Sequence, residues 1–224
     1  MLNLSLPTVF ASDPSSTCPD PASHAEALAA RGNVRSFRRG TILIQEGDRG
    51  DTLYMVRSGR LRAYAAHPNG KEITLGIYGA GEYIGEMSLD GGPRSANVET
   101  LEATTCAVIS RATLLAYIAE HPDFALEMMG RLIRRARLAT ESASSLALID
   151  VYGRMTRLLD QLASPPAADG TRTVEERLTH RELASHLACS REMVTRLMGD
   201  LESGGYVAVR EKRIVLLKGL PARW

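Results

Sequence analysis

Three short stretches gather residue types that can do chemistry at useful spacings. The first is Gly85-Glu86-Met87-Ser88-Leu89-Asp90-Gly91-Gly92-Pro93-Arg94-Ser95-Ala96. A glycine that opens a short helical turn leaves N–H groups free, and these favour an anion. Gly91-Gly92-Pro93 then returns the chain, so that Arg94 can face the opening turn. A guanidinium forks two phosphate oxygens. Glu86 can accept from a ribose hydroxyl, and Ser95 can add a donor. The set suits a cyclic phosphodiester. A decorated β-turn with Arg94 paired to Glu86 would use the same residues.

The second stretch begins with Thr179-His180-Arg181-Glu182, which has the form of a capping box. Leu183 and Leu187 continue a short helix, and Ala188-Cys189-Ser190 makes a turn. Ser190 can cap another helix, which runs to about Glu202 and stops at Gly204-Gly205. The two helix starts are eleven residues apart, a spacing that suits a helix-turn-helix. Val194, Leu197, Met198 and Leu201 turn inward, leaving Arg191, Glu192 and Arg196 outward near the N-terminus. In that geometry such residues meet base edges in the major groove. Arg suits the two acceptors of guanine and Glu the amino group of cytosine, each pair discriminating by roughly 1–3 kcal/mol. Thr179, His180 and Ser190 can meet phosphates. An ordinary helical hairpin with a solvated charged face competes with this reading.

The third stretch weakens that competitor. Tyr206–Val209 and Arg213–Leu217 alternate around Arg210-Glu211-Lys212-Arg213. The pattern predicts a β-hairpin wing with a basic tip, whose backbone contacts would position the protein on a duplex.

These residues need a scaffold. Between about residues 34 and 110 short apolar runs are punctuated by turns. Strands are expected over Thr41–Ile44, Thr52–Val56, Arg60–Ala65, Glu72–Tyr78, Ala96–Thr100 and Cys106–Ser110, with Pro68-Asn69-Gly70 as a hairpin turn. The spacing suggests an antiparallel barrel or jelly roll. A short helix, Arg111–Glu120, ends near His121-Pro122, and a long one follows from Asp123, its expected N-cap, to about Leu148. Ala125, Met129, Leu132, Ala136, Ala139, Ala143 and Leu146 fall at alternating spacings of four and three, with Arg131, Arg134, Arg135 and Arg137 off that seam. The seam predicts a parallel dimer. A helix lying on its own domain is the alternative. A further helix, Val151–Leu162, leads into the loop Ser164–Gly170.

Composition excludes other classes. The 224 residues, 44% hydrophobic and 24% charged, fit one large or two modest domains. The net charge is +1, and from Asp150 onward 12 Lys/Arg stand against 10 Asp/Glu, a net of +2. Any DNA affinity must therefore come from local placement of charge. Cys18, Cys106 and Cys189 are far apart and form no CxxC, and the five histidines lack ligand spacing, so neither disulfide nor metal is expected. No apolar run approaches the roughly 18 residues of a membrane span. Met1–Phe10 lacks a basic start and is broken by Pro7, so no signal peptide is expected and a cytoplasmic location is. Gly79-Ala80-Gly81 with Gly85 has the wrong spacing for a dinucleotide fingerprint, and Gly91-Gly92-Pro93 would cut its helix short. No Ser-His-Asp, HExxH or P-loop pattern appears, so an enzyme is not expected.

The joined pattern over about residues 30–218 resembles the Crp/Fnr superfamily of transcription regulators. Three blocks carry the resemblance: Gly85-Glu86 with Arg94-Ser95, similar to the family's phosphate-binding cassette; Leu146–Arg154, similar to its hinge; and Cys189–Arg196, similar to its recognition helix. The resemblance implies an α+β fold with four parts. These are a flexible tail over 1–24, a cyclic-nucleotide-binding β-roll over 25–122, a dimerisation helix and hinge over 123–149, and a winged helix-turn-helix over 150–224. It implies an effector site at Gly85, Glu86, Met87, Arg94 and Ser95, with Glu86 on the ribose 2′-hydroxyl and Arg94 and Ser95 on the cyclic phosphate. Ala139 and Thr140 would meet the base, where relatives carry two adjacent hydroxyls. The implied DNA-binding residues are Thr179, His180, Ser190, Arg191, Glu192, Thr195 and Arg196, reading palindromic, TGTGA-like half-sites as a homodimer. Cyclic AMP is the expected effector. Cyclic GMP, cyclic di-GMP or no ligand are the alternatives, because one base-facing hydroxyl is missing at Ala139. RNA polymerase is the implied further partner. The Ser164–Gly170 loop is shorter than the family's segment, so neither activation nor repression follows.

Overall fold

The expected alternation folds into two antiparallel sheets in the computed structural model, which describes residues 21–68 and 70–221. Its strands are β1 (Asn33–Phe37), β2 (Ile42–Ile44), β3 (Thr52–Ser58), β4 (Leu61–Ala66), β5 (Glu72–Tyr78), β6 (Tyr83–Ile84), β7 (Asn97–Thr100) and β8 (Thr104–Ser110). One sheet has the order β1-β8-β3-β6 and the other β2-β7-β4-β5. Ile44, Leu61, Ala63 and Val98 of the second sheet meet Val56, Ile84 and Cys106 of the first, so an apolar layer fills the roll. Asn69 of the expected hairpin turn lies outside the described residues.

The first sheet is buried on its other face as well. There Leu53, Met55, Tyr83, Ala107 and Ile109 meet three helices: α1 (Pro21–Ala30), α2 (Arg111–Glu120) and the start of α3 (Pro122–Leu148). Helix α1 begins inside the stretch expected as a tail. Its reason is local: Ala25, Leu28 and Ala29, at helical spacing, are all buried. Burying Leu28 alone contributes roughly 1.5–3 kcal/mol. Residues 1–20, with Cys18, lie outside the described residues.

Asp123 is not the N-cap of α3. The helix starts at Pro122, and Asp123 sits in its first turn. Proline suits that first position because its N–H would be unpaired there and its φ is already helical. Phe124 and Met128 bury one face of α3 against the sheet. The seam faces elsewhere: Met129, Leu132 and Leu146 are 49%, 39% and 40% exposed.

The chain divides into two compact units, Met1–Ala66 with Thr74–Ala139, and His67–Ile73 with Thr140–Trp224. The division falls within α3. The second unit holds α4 (Val151–Leu162), β9 (Arg172–Thr173), α5 (His180–Leu187), α6 (Arg191–Ser203), β10 (Val207–Arg210) and β11 (Arg213–Leu216). Its core joins Met155 and Leu159 of α4 to Leu183, Leu187, Val194, Met198 and Leu201 of the helix pair and to Val207, Ile214 and Leu216 of the hairpin. Asp150 caps α4 by accepting from Gly153 N at 2.7 Å. The wing has a third strand, β9, beside β11.

Candidate effector and nucleic-acid sites

The cassette is set by one glycine and one arginine. Gly85 has φ +100°, and a Cβ there would lie 2.7 Å from Thr52 O and 2.8 Å from Arg94 Nη1. Only glycine fits both constraints. It opens the single turn Glu86–Ser88. Arg94 is 7% exposed and does face that turn. Its Nη1 donates to Gly85 O at 2.8 Å, and its Nη2 donates to Thr52 O and Oγ1 at 3.0 and 2.9 Å. All three acceptors are neutral. Arg94 makes no ion pair among the described residues. A buried cation without a counter-charge is costly, and an anion relieves that cost.

The alternative pairing of Arg94 with Glu86 is not formed. Glu86 pairs instead with Arg135 of α3, whose Nη2 also donates to Tyr83 O at 2.6 Å. The Arg135 guanidinium stands 4.8 Å from the Tyr78 ring centroid and 5.1 Å from that of Tyr83. Burial is the largest single influence and works against its charge, but Glu86 together with Tyr78 and Tyr83 outweighs it and raises the Arg135 pKa. Burial pushes the Tyr83 phenol up to about 12, against Arg135 and Arg131. The Glu86 side chain is 6% exposed, and its Oε2 is buried with no hydrogen-bond partner.

Sequence reasoning missed Arg135, Tyr78 and Tyr83. Arg135 was separable in principle, because Phe124, Met128, Arg131 and Arg135 share one helix face. Met87 is 62% exposed, and its sulfur accepts from Ser95 Oγ at 3.3 Å. Ala139 and Thr140 are exposed, on the stretch of α3 where the units divide. An open hollow of about 400 Å³ lies beside the cassette, lined among others by Arg49, Asp51, Asp90 and Arg111. It includes none of Glu86, Arg94 and Arg135. Among the described residues, no cluster of His, Cys, Asp and Glu could hold a metal, and no helix is long and apolar enough to cross a membrane.

The helix pair forms as its caps dictate. Thr179 and Glu182 make both halves of the capping box, and Ser190 Oγ accepts from Met193 N at 3.2 Å. Ala188 closes α5 in the left-handed region, φ +50°. Val194, Leu197, Met198 and Leu201 are buried, while Arg191, Glu192, Thr195 and Arg196 are exposed on the opposite face of α6. The Arg191 side chain makes no hydrogen bond or ion pair among the described residues. Arg196 Nη2 is 2.9 Å from Met193 Sδ, a contact that solvent or a base can replace. A hydrogen bond from its own backbone N–H, then one from Ser190, hold the Glu192 carboxyl below the usual range.

His180 Nδ1 lies 2.9 Å from Thr195 Oγ1, which itself donates to Arg191 O at 3.0 Å. The start of α5 is thereby tied to the outward face of α6. The Thr179 hydroxyl is spent on Glu182, at 2.7 Å. The wing turns through Glu211 and Lys212, φ +50° and +64°, and exposes both with Arg210. Arg213 pairs with Glu175 at 2.8 Å. In the hinge block, Arg154 donates to Ile149 O at 2.6 Å and to Leu187 O at 2.9 Å, fixing α4 to the end of α5.

Comparison with known proteins gives these sites a context. Residues 34–121 match the cyclic nucleotide-binding domain, and residues 153–219 the Crp-like helix-turn-helix domain. The chain is 31% identical over 183 residues to the CRP-like cAMP-activated global transcriptional regulator of Mycobacterium tuberculosis (strain ATCC 25618 / H37Rv), covering 80% of this chain and 82% of that protein. It is 30% identical over 190 residues to the cAMP-activated global transcriptional regulator CRP of Salmonella typhimurium (strain LT2), covering 82% and 89%. Among solved structures it is similar to the c-di-GMP-responsive global regulator CLP of Xanthomonas campestris. That match has a TM-score of 0.78 and 29% identity, over 88% of this chain and 99% of that one. With a nucleotide-binding β-roll ahead of a Crp-like helix-turn-helix, the chain belongs to the CRP-like family of transcriptional regulators.

Proposed function

We propose that the chain works as a homodimer that binds a cyclic nucleotide, cyclic AMP first, at Gly85, Glu86, Arg94 and Ser95 and answers by binding palindromic DNA. The observation that carries the sensing half is the buried Arg94 without a carboxylate partner. A guanidinium has five N–H groups, and three protein oxygens take up only three of them, so two remain for a cyclic phosphate. Glu86 Oε2 is the acceptor for a ribose hydroxyl. The outward Arg191, Glu192, Thr195 and Arg196 read bases, and Ser190, His180 and the wing meet phosphates. The exposed seam of α3 pairs with a second copy. The effector acts only through its different affinities for two arrangements of that dimer. RNA polymerase is the partner of the DNA-bound form, in the cytoplasm.

Cyclic di-GMP is the second reading. Two observations favour it: the likeness to CLP, and Ala139 standing where a base-facing hydroxyl is expected. Titration calorimetry with cyclic AMP, cyclic GMP and cyclic di-GMP tests both readings. One nucleotide should bind, and Arg94→Gln should abolish the heat. If none binds, the sensing half is lost. If Arg191→Ala and Arg196→Ala leave a gel shift unaltered, the DNA half is lost.

A further inference from the structure

Tyr78 ends β5, and neither the phosphate cassette nor the DNA face makes use of it. Its ring packs against the apolar layer inside the roll. The guanidinium that stands over it, Arg135, is the one that holds Glu86. The charges the phenol feels show what surrounds it. Burial raises its pKa first, Arg135 lowers it, and Glu86 and Glu82 raise it. Tyr78 therefore belongs to the neighbourhood of Glu86. Its hydroxyl has no hydrogen-bond partner among the described residues.

The strand is shaped to allow this. Gly76 lies two residues earlier, on the same face of β5. A Cβ at that position would lie 2.9 Å from the Tyr78 hydroxyl oxygen. The phenol folds back over space that only glycine leaves open. Among the described residues two polar atoms in one neighbourhood thus lack a hydrogen-bond partner: the hydroxyl of the half-buried Tyr78, and Glu86 Oε2 on a side chain more than nine-tenths buried. A buried carboxylate oxygen without a donor is rare, and it points to a donor supplied from outside the fold. A ligand that reaches Glu86 comes within the surroundings of the Tyr78 ring.

We propose that Tyr78 is a specificity-determining residue of the effector site, with its ring held by Arg135 and its hydroxyl bonded to the bound purine nucleotide. The inference rests on the cyclic-nucleotide reading above. A site that offers a fixed hydroxyl favours the nucleotide whose polar atom meets it over those whose atoms do not. Tyr78 chooses among nucleotides, while Arg94 and Glu86 hold what all of them share.

The test is calorimetry of the full chain with cyclic AMP, cyclic GMP and cyclic di-GMP, on wild type, Tyr78→Phe and Gly76→Ala. Phenylalanine keeps the ring, its packing and its place under Arg135. The thermal midpoint should hold, while affinity for the best-bound nucleotide falls about fivefold to tenfold, the range one lost hydrogen bond covers. The other two nucleotides should change less than about twofold on the same scale. Gly76→Ala keeps the hydroxyl but displaces it, and should shift the same ratio. An equal loss for every nucleotide, or no loss, overturns the inference and leaves the sensor standing. A wild-type chain that binds none of the three takes both down.

Discussion

The pair Glu86–Arg135 joins residues 49 apart in the chain, and its energetics follow from burial. The Arg135 side chain is 24% exposed and that of Glu86 only 6%. Removing the arginine strands a buried carboxylate, which costs about 3–5 kcal/mol in a fully enclosed pair and less at this partial exposure. Arg135→Met should lower unfolding stability by roughly 1–3 kcal/mol in urea. Adding Glu86→Gln should restore much of that loss, because the uncompensated charge is then gone. A double variant as unstable as Arg135→Met alone would show that packing, and not the stranded charge, is at stake. Cys106 gives a second prediction. Burial pushes its thiol up to about 11, so it is protonated at neutral pH. It should resist a thiol reagent at pH 7.5 until the roll unfolds. Glu86 and Arg94 were legible in the sequence because glycines punctuate their segment. The face of Arg135 could be read from helical spacing, but its pairing with Glu86 could not, because that partner is known only once α3 lies on the sheet.

Among the elements, α3 carries two faces with different tasks. Phe124, Met128, Arg131 and Arg135 face the roll, while Met129, Leu132, Ala136 and Leu146 are left to solvent in the single chain. The spacing of four and three made the second face readable in advance. The first was hidden because arginines, which usually mark a solvated face, form half of it. Strands β6 and β9, two residues each, are too short to show any period, and β1 is almost wholly exposed. Leu132→Glu should break the proposed dimer, seen as a halved mass in sedimentation at micromolar concentration. A dimer that persists would place its interface elsewhere. Tyr83 links α3 to the sheet, and its phenol is raised from 10 to about 12. The folded state thus holds this proton more tightly than the unfolded chain does. The stabilisation is complete below pH 10 and fades as pH rises towards 12. Tyr83→Phe should flatten that alkaline decline in a urea series.

For the molecule as a whole, the charge balance decides how DNA is found. A net of +1 gives little general attraction to a polyanion, so affinity must come from a few placed cations. Arg210 and Lys212 at the wing tip are exposed and suited to phosphates, whereas Arg191 and Arg196 stand on the exposed face of α6 proposed to read bases. The two groups should separate in one experiment. Each phosphate contact releases counterions, so the slope of log affinity against log salt loses about one unit for each contact removed. Lys212→Ala should weaken all duplexes alike and make that slope shallower, by about two for the symmetric dimer. Arg191→Ala should cost roughly 1–3 kcal/mol on the preferred half-site, with little change on unrelated DNA. Fluorescence anisotropy over a salt series, with one palindromic and one random duplex, measures both. If Arg191→Ala weakened both duplexes equally, α6 would be holding backbone rather than bases. The specificity would then have to lie outside the outward face on which the DNA reading depends.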